Sequence, residues 1–125
     1  TTIDLANLLG RSKSTIKLVS GKLLPSVYLS ERVLKSVDQA QKRQVTIEIL
    51  VGPDSNAKSI REWKLRGAKV KKLARWPEKH FAIVDGKHVR IEEPHPESSN
   101  YCTQYVIYYF RFASRLNQYF EDLKN

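Results

Sequence analysis

The stretch 78–91 constrains the fold of this chain most, because it predicts a β-hairpin at a defined place. Residues 81–84 form an apolar run of strand-forming side chains. Asp85-Gly86 follows, and this pair favours a tight turn, since a type I′ turn needs positive φ at both central residues. Residues 88–92 then alternate between polar and apolar side chains, as a half-buried return strand does. The sequence therefore predicts two antiparallel strands joined by a turn at Asp85-Gly86.

The three histidines lie in or just beyond this hairpin. A two-residue turn would pair His80 with Ile91 and His88 with Ile83, which keeps the two imidazoles apart. A metal ion shared by them is therefore not expected, and we predict no metal site. His95 stands between two prolines and is expected to be a solvated loop residue.

Strands and helices alternate before the hairpin. The run 45–51 is the clearest strand, and Gly52-Pro53 ends it. We predict the order α-β-α-β-α-β-β-β-β-α, with a short lysine-rich strand at 68–73 near a sheet edge, a strand at 105–110 and a last helix at 113–124. Since early strands alternate with helices, the fold class is α/β, with a mixed, mostly parallel sheet flanked by helices.

Length and composition predict one globular domain spanning residues 1–125. The apolar fraction is 41%, and no apolar run approaches membrane-spanning length. The lone Cys102 cannot form an internal disulfide, so we predict a cytoplasmic protein. We predict neither a membrane partner nor a cofactor. The chain opens at Thr1 and contains no Met, from which we expect it to be part of a longer protein.

The formal net charge of +9 favours anionic partners such as nucleic acid or phosphorylated ligands. Residues 58–79 carry nine basic side chains against two acidic ones, and they include Trp63 and Trp76, either of which could stack a base. Against this role for Trp63, it lies on the apolar face of a predicted helix, where we expect a core residue. A solvated helical face and a charged strand edge are the alternative explanation. The residues that we predict to contact nucleic acid are Lys64, Lys69, Lys71, Lys72 and Arg75.

The order of elements, with Ile83-Val84-Asp85-Gly86 in a late hairpin and Ser98-Ser99-Asn100 soon after, resembles one lobe of the phospholipase D superfamily. The resemblance implies that lobe's fold over most of the chain. Active members carry the motif His-x-Lys-x4-Asp, in which the His is the nucleophile, and a later Asn.

This chain departs from that motif at its reactive positions. Counting back from Asp85 places Glu78 where the family has its nucleophile and His80 where it has the Lys. A carboxylate repels a phosphodiester and does not replace the imidazole. If His80 is instead aligned with the nucleophile, Ala82 and Lys87 fall at the Lys and Asp positions. Both alignments leave the triad incomplete.

A similar lobe without the triad is present in archaeal transcription regulators of the TrmB type. The resemblance implies a non-catalytic binding and dimerisation module, the regulatory domain of a DNA-associated transcription regulator that forms a homodimer. It also implies a pocket for an anionic, phosphate-bearing ligand. The alternative is a divergent phosphodiesterase or nuclease that acts through His80, with Asp85, as a homodimer. We predict that the pocket is lined by Glu78, His80, Asp85, Ser98 and Asn100.

Overall fold

The computed structural model describes residues 5–94, 102–107 and 110–125. Helices and strands follow in the predicted order, with one short helix added after the first strand. Their bounds are α1 (Leu5–Gly10), β1 (Thr15–Ser20), α2 (Pro25–Tyr28), α3 (Glu31–Lys42), β2 (Thr46–Val51), α4 (Ala57–Leu65), β3 (Lys69–Lys72), β4 (His80–Val84), β5 (His88–Pro94), β6 (Cys102–Ile107) and α5 (Phe110–Lys124).

The described strands form one mixed sheet of six in the order β3-β2-β1-β4-β5-β6. Strands β1, β2 and β3 are parallel, whereas β4 pairs antiparallel with β1, β5 with β4, and β6 with β5. Four strands (β1, β2, β3 and β5) therefore run in one direction. The predicted α/β class with a mixed sheet is confirmed, and the lysine-rich strand β3 lies at an edge, as expected.

Alternating side chains of the central strands build a core on each face of the sheet. On one face, Ile16, Leu18 and Ile49 pack with α1 to α4, and Trp63 of α4 is fully buried there. On the other face, the buried side chains of β1, β2, β4 and β5 pack against Ala113, Leu116 and Phe120 of α5. No helix in the described part of the chain is long and apolar enough to cross a bilayer.

The hairpin forms where the sequence predicts it, but its register differs by one residue. Asp85 and Gly86 have φ values of 57° and 69°, and the N–H of Lys87 donates to the carbonyl of Val84 at 3.1 Å. His88 pairs with Val84, so that Lys87 is an additional turn residue. As a result, His80 lies opposite Glu92 instead of Ile91, and the predicted two-residue connection is wrong.

Three boundaries differ from the predictions. From the sequence we predict an irregular connector at 23–29, but it contains the short helix α2, which begins with Pro25 at a position where the fixed φ of proline is favourable. The sequence predicts Asp54 or Ser55 as the cap of α4, but the helix is capped by Asn56, whose side chain accepts from the N–H of Ser59. The last strand spans Cys102–Ile107 instead of the predicted 105–110, and α5 begins at Phe110 instead of the predicted residue 113.

Candidate functional site

Strand β4 carries the predicted site residues at its two opposite ends. His80 is its first residue, and Asp85 follows its last. Five residue steps in an extended strand separate their Cα atoms by about 16 Å. The structure therefore does not bring Asp85 into one pocket with Glu78 and His80.

At the turn end, Asp85 binds the segment that leads into β1. Its carboxylate accepts hydrogen bonds from the backbone N–H groups of Lys13, Ser14 and Thr15 and from the Ser14 hydroxyl, at 2.8–3.1 Å. Partial burial alone would raise the pKa of Asp85, but these hydrogen bonds outweigh it and lower the pKa below its ordinary value of 3.8. Asp85 therefore holds the α1–β1 loop against the hairpin.

The other end of β4 lies beside the carboxyl end of β1, since Val19 is paired with Phe81. This is the point where the sheet changes from parallel to antiparallel pairing, and ligands of open α/β sheets bind at the carboxyl ends of strands near such a point. His80 is half-buried here, and Glu78, two residues earlier, is exposed. The structure thus places these two predicted residues together where a ligand is expected, beside the carboxyl ends of β1 and β2 and the amino end of β4. We call this end of the sheet the ligand-binding edge.

Trp76 lies across this edge. Its indole packs on Gly21 and Gly52, the residues that directly follow β1 and β2, and its ring centroid is 5.8 Å from that of His80. A Cβ on Gly21 would lie closer than 3.0 Å to three atoms of the indole. Trp76 nevertheless remains 44% exposed. The two glycines are therefore required for the close approach of the ring.

The loop after β1 is tied to the loop after β2. The N–H of Gly52 donates to the carbonyl of Gly21 at 2.9 Å, and the N–H of Asn56 donates to the carbonyl of Lys22 at 2.8 Å. Leu23 has a φ of 52°, which is unfavourable for a residue with a side chain, and it is held by burial and by the Ser20 hydroxyl, which accepts from its N–H. The backbone under Trp76 is thus fixed by several hydrogen bonds.

Two predicted ligand residues, Ser98 and Asn100, lie outside the described residues, as does His95. The described strands on either side end at Pro94 and begin at Cys102.

The basic residues predicted to contact nucleic acid are all exposed, but they point in different directions. Side chains alternate between the two faces along β3. Lys69 and Lys71 lie on the face covered by α5, and Lys72 lies on the opposite face. There they line a cleft of about 300 Å³ whose other lining residues include Glu48 and Lys124.

That cleft is bridged by α5. The Lys124 ammonium lies 2.7 Å from the Glu48 carboxylate, whose hydrogen bond raises the pKa of Lys124, and Lys71 donates to the Lys124 carbonyl. None of the residues that line the cleft belongs to the predicted pocket around His80.

Sequence reasoning missed the part played by Gly21 and Gly52, which it used only as strand terminators. A glycine directly after each of two neighbouring parallel strands indicates close approach at that edge. The approaching group, Trp76, could not be identified, because it comes 55 and 24 residues later in the chain.

Three solved structures resemble this chain. A phospholipase D family member, Nuc from Salmonella typhimurium, superposes with a TM-score of 0.75 and 17% identity, over 96% of this chain and 84% of its own. TrmBL2, an archaeal chromatin protein, does so with a TM-score of 0.67 and 21% identity, over 94% of this chain and 45% of its own.

Polyphosphate kinase from Porphyromonas gingivalis superposes with a TM-score of 0.70 and 9% identity, over 96% of this chain and 23% of its own. No protein-family model and no curated protein sequence matches the chain. These likenesses establish the fold, which is that of one phospholipase D-like lobe.

Proposed function

We propose that this phospholipase D-like lobe is a non-catalytic binding and dimerisation module in the regulatory part of a DNA-associated protein. Its ligand is anionic and phosphate-bearing, and it binds at the amino end of β4, where His80 donates to a phosphate oxygen. Ser98 and Asn100 supply further donors. The proposal is carried by one observation: an exposed carboxylate, Glu78, stands two residues before His80 at the ligand-binding edge of the sheet.

The chemistry of this edge supports binding without turnover. At about 4 Å, a carboxylate and a phosphate repel by roughly 1 kcal/mol in water and by more in a partly buried site. Asp85, the one residue that matches the family motif in its own place, is about 16 Å away along β4 and is saturated by hydrogen bonds to the α1–β1 loop. Asp85 is thus too far away along β4 to assist His80 in a nucleophilic attack.

Charge and fold similarity support the association with DNA. The chain carries +9 formal charges, and Lys72 of β3 and Arg75 of the loop after it are exposed, where they can bind phosphates. TrmBL2, which has the same fold, is a chromatin protein that binds DNA. The chain matches less than half of TrmBL2. DNA binding by the whole TrmBL2 protein therefore supports DNA association of this chain only as a proposal.

Dimerisation is proposed because a single lobe leaves the ligand-binding edge open to a second copy. The β3 edge is unsuited to self-pairing, since Lys69, Lys71 and Lys72 would face like charges on the partner. Sedimentation equilibrium of the purified chain is expected to give a dimer mass, and a mass of 14.5 kDa at all concentrations would contradict this part of the proposal.

Hydrolysis of bis(p-nitrophenyl) phosphate separates the two candidate functions. We expect no hydrolysis above that of buffer, whereas a rate that His80→Ala abolishes would establish the divergent phosphodiesterase instead. The structural similarity to Nuc, a phospholipase D family member, is the observation that supports this second candidate function. Crystals soaked in vanadate give an independent result: a covalent adduct on His80 would support the enzyme.

Calorimetric titration with pyrophosphate tests the ligand. We expect His80→Ala to weaken binding several-fold, because it removes a donor to the anion. His88→Ala is the matched control, since His88 is the other half-buried imidazole of the hairpin but lies at the turn end, paired with Val84. Equal losses in the two variants would contradict a site at His80.

A further inference from the structure

Trp76 is the exposed aromatic side chain of the described structure, and the fold presents it at the ligand-binding edge. We infer that Trp76 is a stacking platform for an unpaired nucleobase and that this edge binds single-stranded nucleic acid. The inference deepens the proposed function, because it names the class of phosphate-bearing ligand for the same edge of the sheet.

The indole is held ready for stacking. Gly21 and Gly52 contact the ring, and a Cβ on Gly52 would lie 3.1 Å from an indole carbon and 2.7 Å from the Gly21 carbonyl oxygen. The tilted contact with His80 supports the ring on another side. Because the ring is already fixed, a base that stacks on its open surface loses little additional side-chain entropy on the protein.

The two tryptophans of the chain differ in a way that favours this assignment. Trp63 is fully buried, and its Nε1–H donates to the carbonyl of Tyr28 at 2.8 Å. Its role in the core is thus complete. Trp76 packs against two glycines, yet 44% of its surface remains exposed. Burial of apolar surface therefore does not fully explain why a tryptophan stands there.

Exposed cations occur in the segments next to the platform. Lys22 follows Gly21, Lys72 ends β3, and Arg75 directly precedes Trp76. Lys79 is also exposed, and its ammonium lies over the Tyr119 ring of α5. The exposed acids nearest in sequence are Asp54 and Glu78. A single strand has both features that this edge requires: a charged backbone for the cations and bases whose faces are free to stack. The bases of a duplex are already stacked on one another and have no free face.

The stacking role of Trp76 can be tested by following tryptophan fluorescence during titration with a twelve-nucleotide oligothymidylate. In the wild-type chain, we expect binding to quench the Trp76 emission. In Trp76→Leu, only the buried Trp63 remains, and its emission is expected to stay constant. Binding measured by anisotropy of a labelled strand is expected to weaken about tenfold in Trp76→Leu and Trp76→Ala, which is the usual effect of removing one stacking aromatic.

The variants need matched controls for fold and for charge. Leu65→Ala changes the other large exposed apolar residue, 71% exposed on α4, and is expected to bind like wild type. Circular dichroism and thermal melting establish whether each variant is folded, and Trp76→Phe, which keeps an aromatic ring, is expected to restore most of the affinity. The double variant Lys72→Ala, Arg75→Ala is expected to lower the slope of log affinity against log salt by about 1.4.

Two results would overturn the inference. One is equal affinity of folded Trp76→Leu and wild type for the oligothymidylate. The other is binding of a duplex or of inorganic polyphosphate as tight as that of the single strand, with Trp76 emission unchanged. In that second case the anion-binding function proposed above still stands, whereas loss of binding to all three ligands would remove both.

Discussion

The two ends of strand β4 use similar residue types for different purposes. At the turn end, the Asp85 carboxylate accepts four hydrogen-bond donors from residues 13–15 and joins the hairpin to the α1–β1 loop. At the other end, Glu78 and Trp76 are exposed, and His80 is half-buried beside the carboxyl end of β1. The carboxylate at the first end is satisfied within the protein, whereas the Glu78 carboxylate at the second end is exposed to solvent.

This difference places internal hydrogen bonds at one end of the strand and exposed side chains at the other. The sequence motif groups Asp85 of the turn with Glu78 and His80 near the start of the strand as one unit. Here Asp85 stabilises the fold through the α1–β1 loop, whereas the segment before the strand carries an exposed carboxylate and an exposed indole. The contributions of the two ends can therefore be tested separately.

Asp85→Ala is expected to have the largest effect, because it removes the acceptor of four donors and places alanine at a φ of 57°. We expect the free energy of unfolding to fall by about 3 kcal/mol, measured by urea denaturation. Asp54→Ala, at an exposed loop position, is the control and is expected to change it little. A small effect of Asp85→Ala would mean that the turn end is not a structural clamp.

Gly21→Ala tests the opposite end. The added Cβ would collide with the indole of Trp76, so we expect the ring to be displaced, its emission to shift to the red and stability to fall by about 2 kcal/mol. Gly10→Ala is the control, since the nearest atom to its Cβ would be 3.9 Å away. An unchanged emission spectrum would show that the indole is not held by the glycines.

The pH dependence of Asp85→Asn sharpens the comparison further. Because the folded state lowers the pKa of Asp85 below 3.8, its ionised form stabilises the protein above the unfolded pKa, and this contribution is lost as pH falls through the folded pKa. At pH 7, the free energy of unfolding of the wild type is expected to exceed that of Asp85→Asn by about 1 kcal/mol. This difference in stability should shrink below pH 3.8. A difference that persists at pH 2 would contradict this origin.

Glu78→Gln is expected to have the smallest effect, and in the opposite direction. Removing an exposed negative charge should strengthen pyrophosphate binding about twofold to fivefold at low salt, without a change in stability. Glu31→Gln, exposed on α3, is the control. No change in affinity at low salt would place the bound anion away from Glu78.

Local signals in the chain predicted much of this fold. Asp85-Gly86 specified the turn, an apolar run identified β4, and alternation identified β5. Ser30 is a favourable cap residue at the start of α3, and its side chain accepts from the N–H of Val33. The register was wrong by one residue, because the extra turn residue Lys87 has no distinct sequence signal. The confirmed edge position of β3 came from its lysines, which a central strand would not tolerate.

The candidate site was predicted only in part. Glu78 and His80 were identified by position in a motif, and they do lie together at one sheet edge. Asp85 was placed with them by the same motif, but motif spacing counts residues along the chain, whereas an extended strand converts five residues into about 16 Å.

Local side-chain pattern and residue identity predicted the six described strands, four of the five described helices and the edge position of the lysine-rich strand, because each of these depends on residues that are close together in the chain. Only the tertiary structure decided that Trp76 would rest on Gly21 and Gly52 beside His80, and that Asp85 would hold residues 13–15. Those contacts join segments distant in the chain, and strand pairing rather than local preference brings them together.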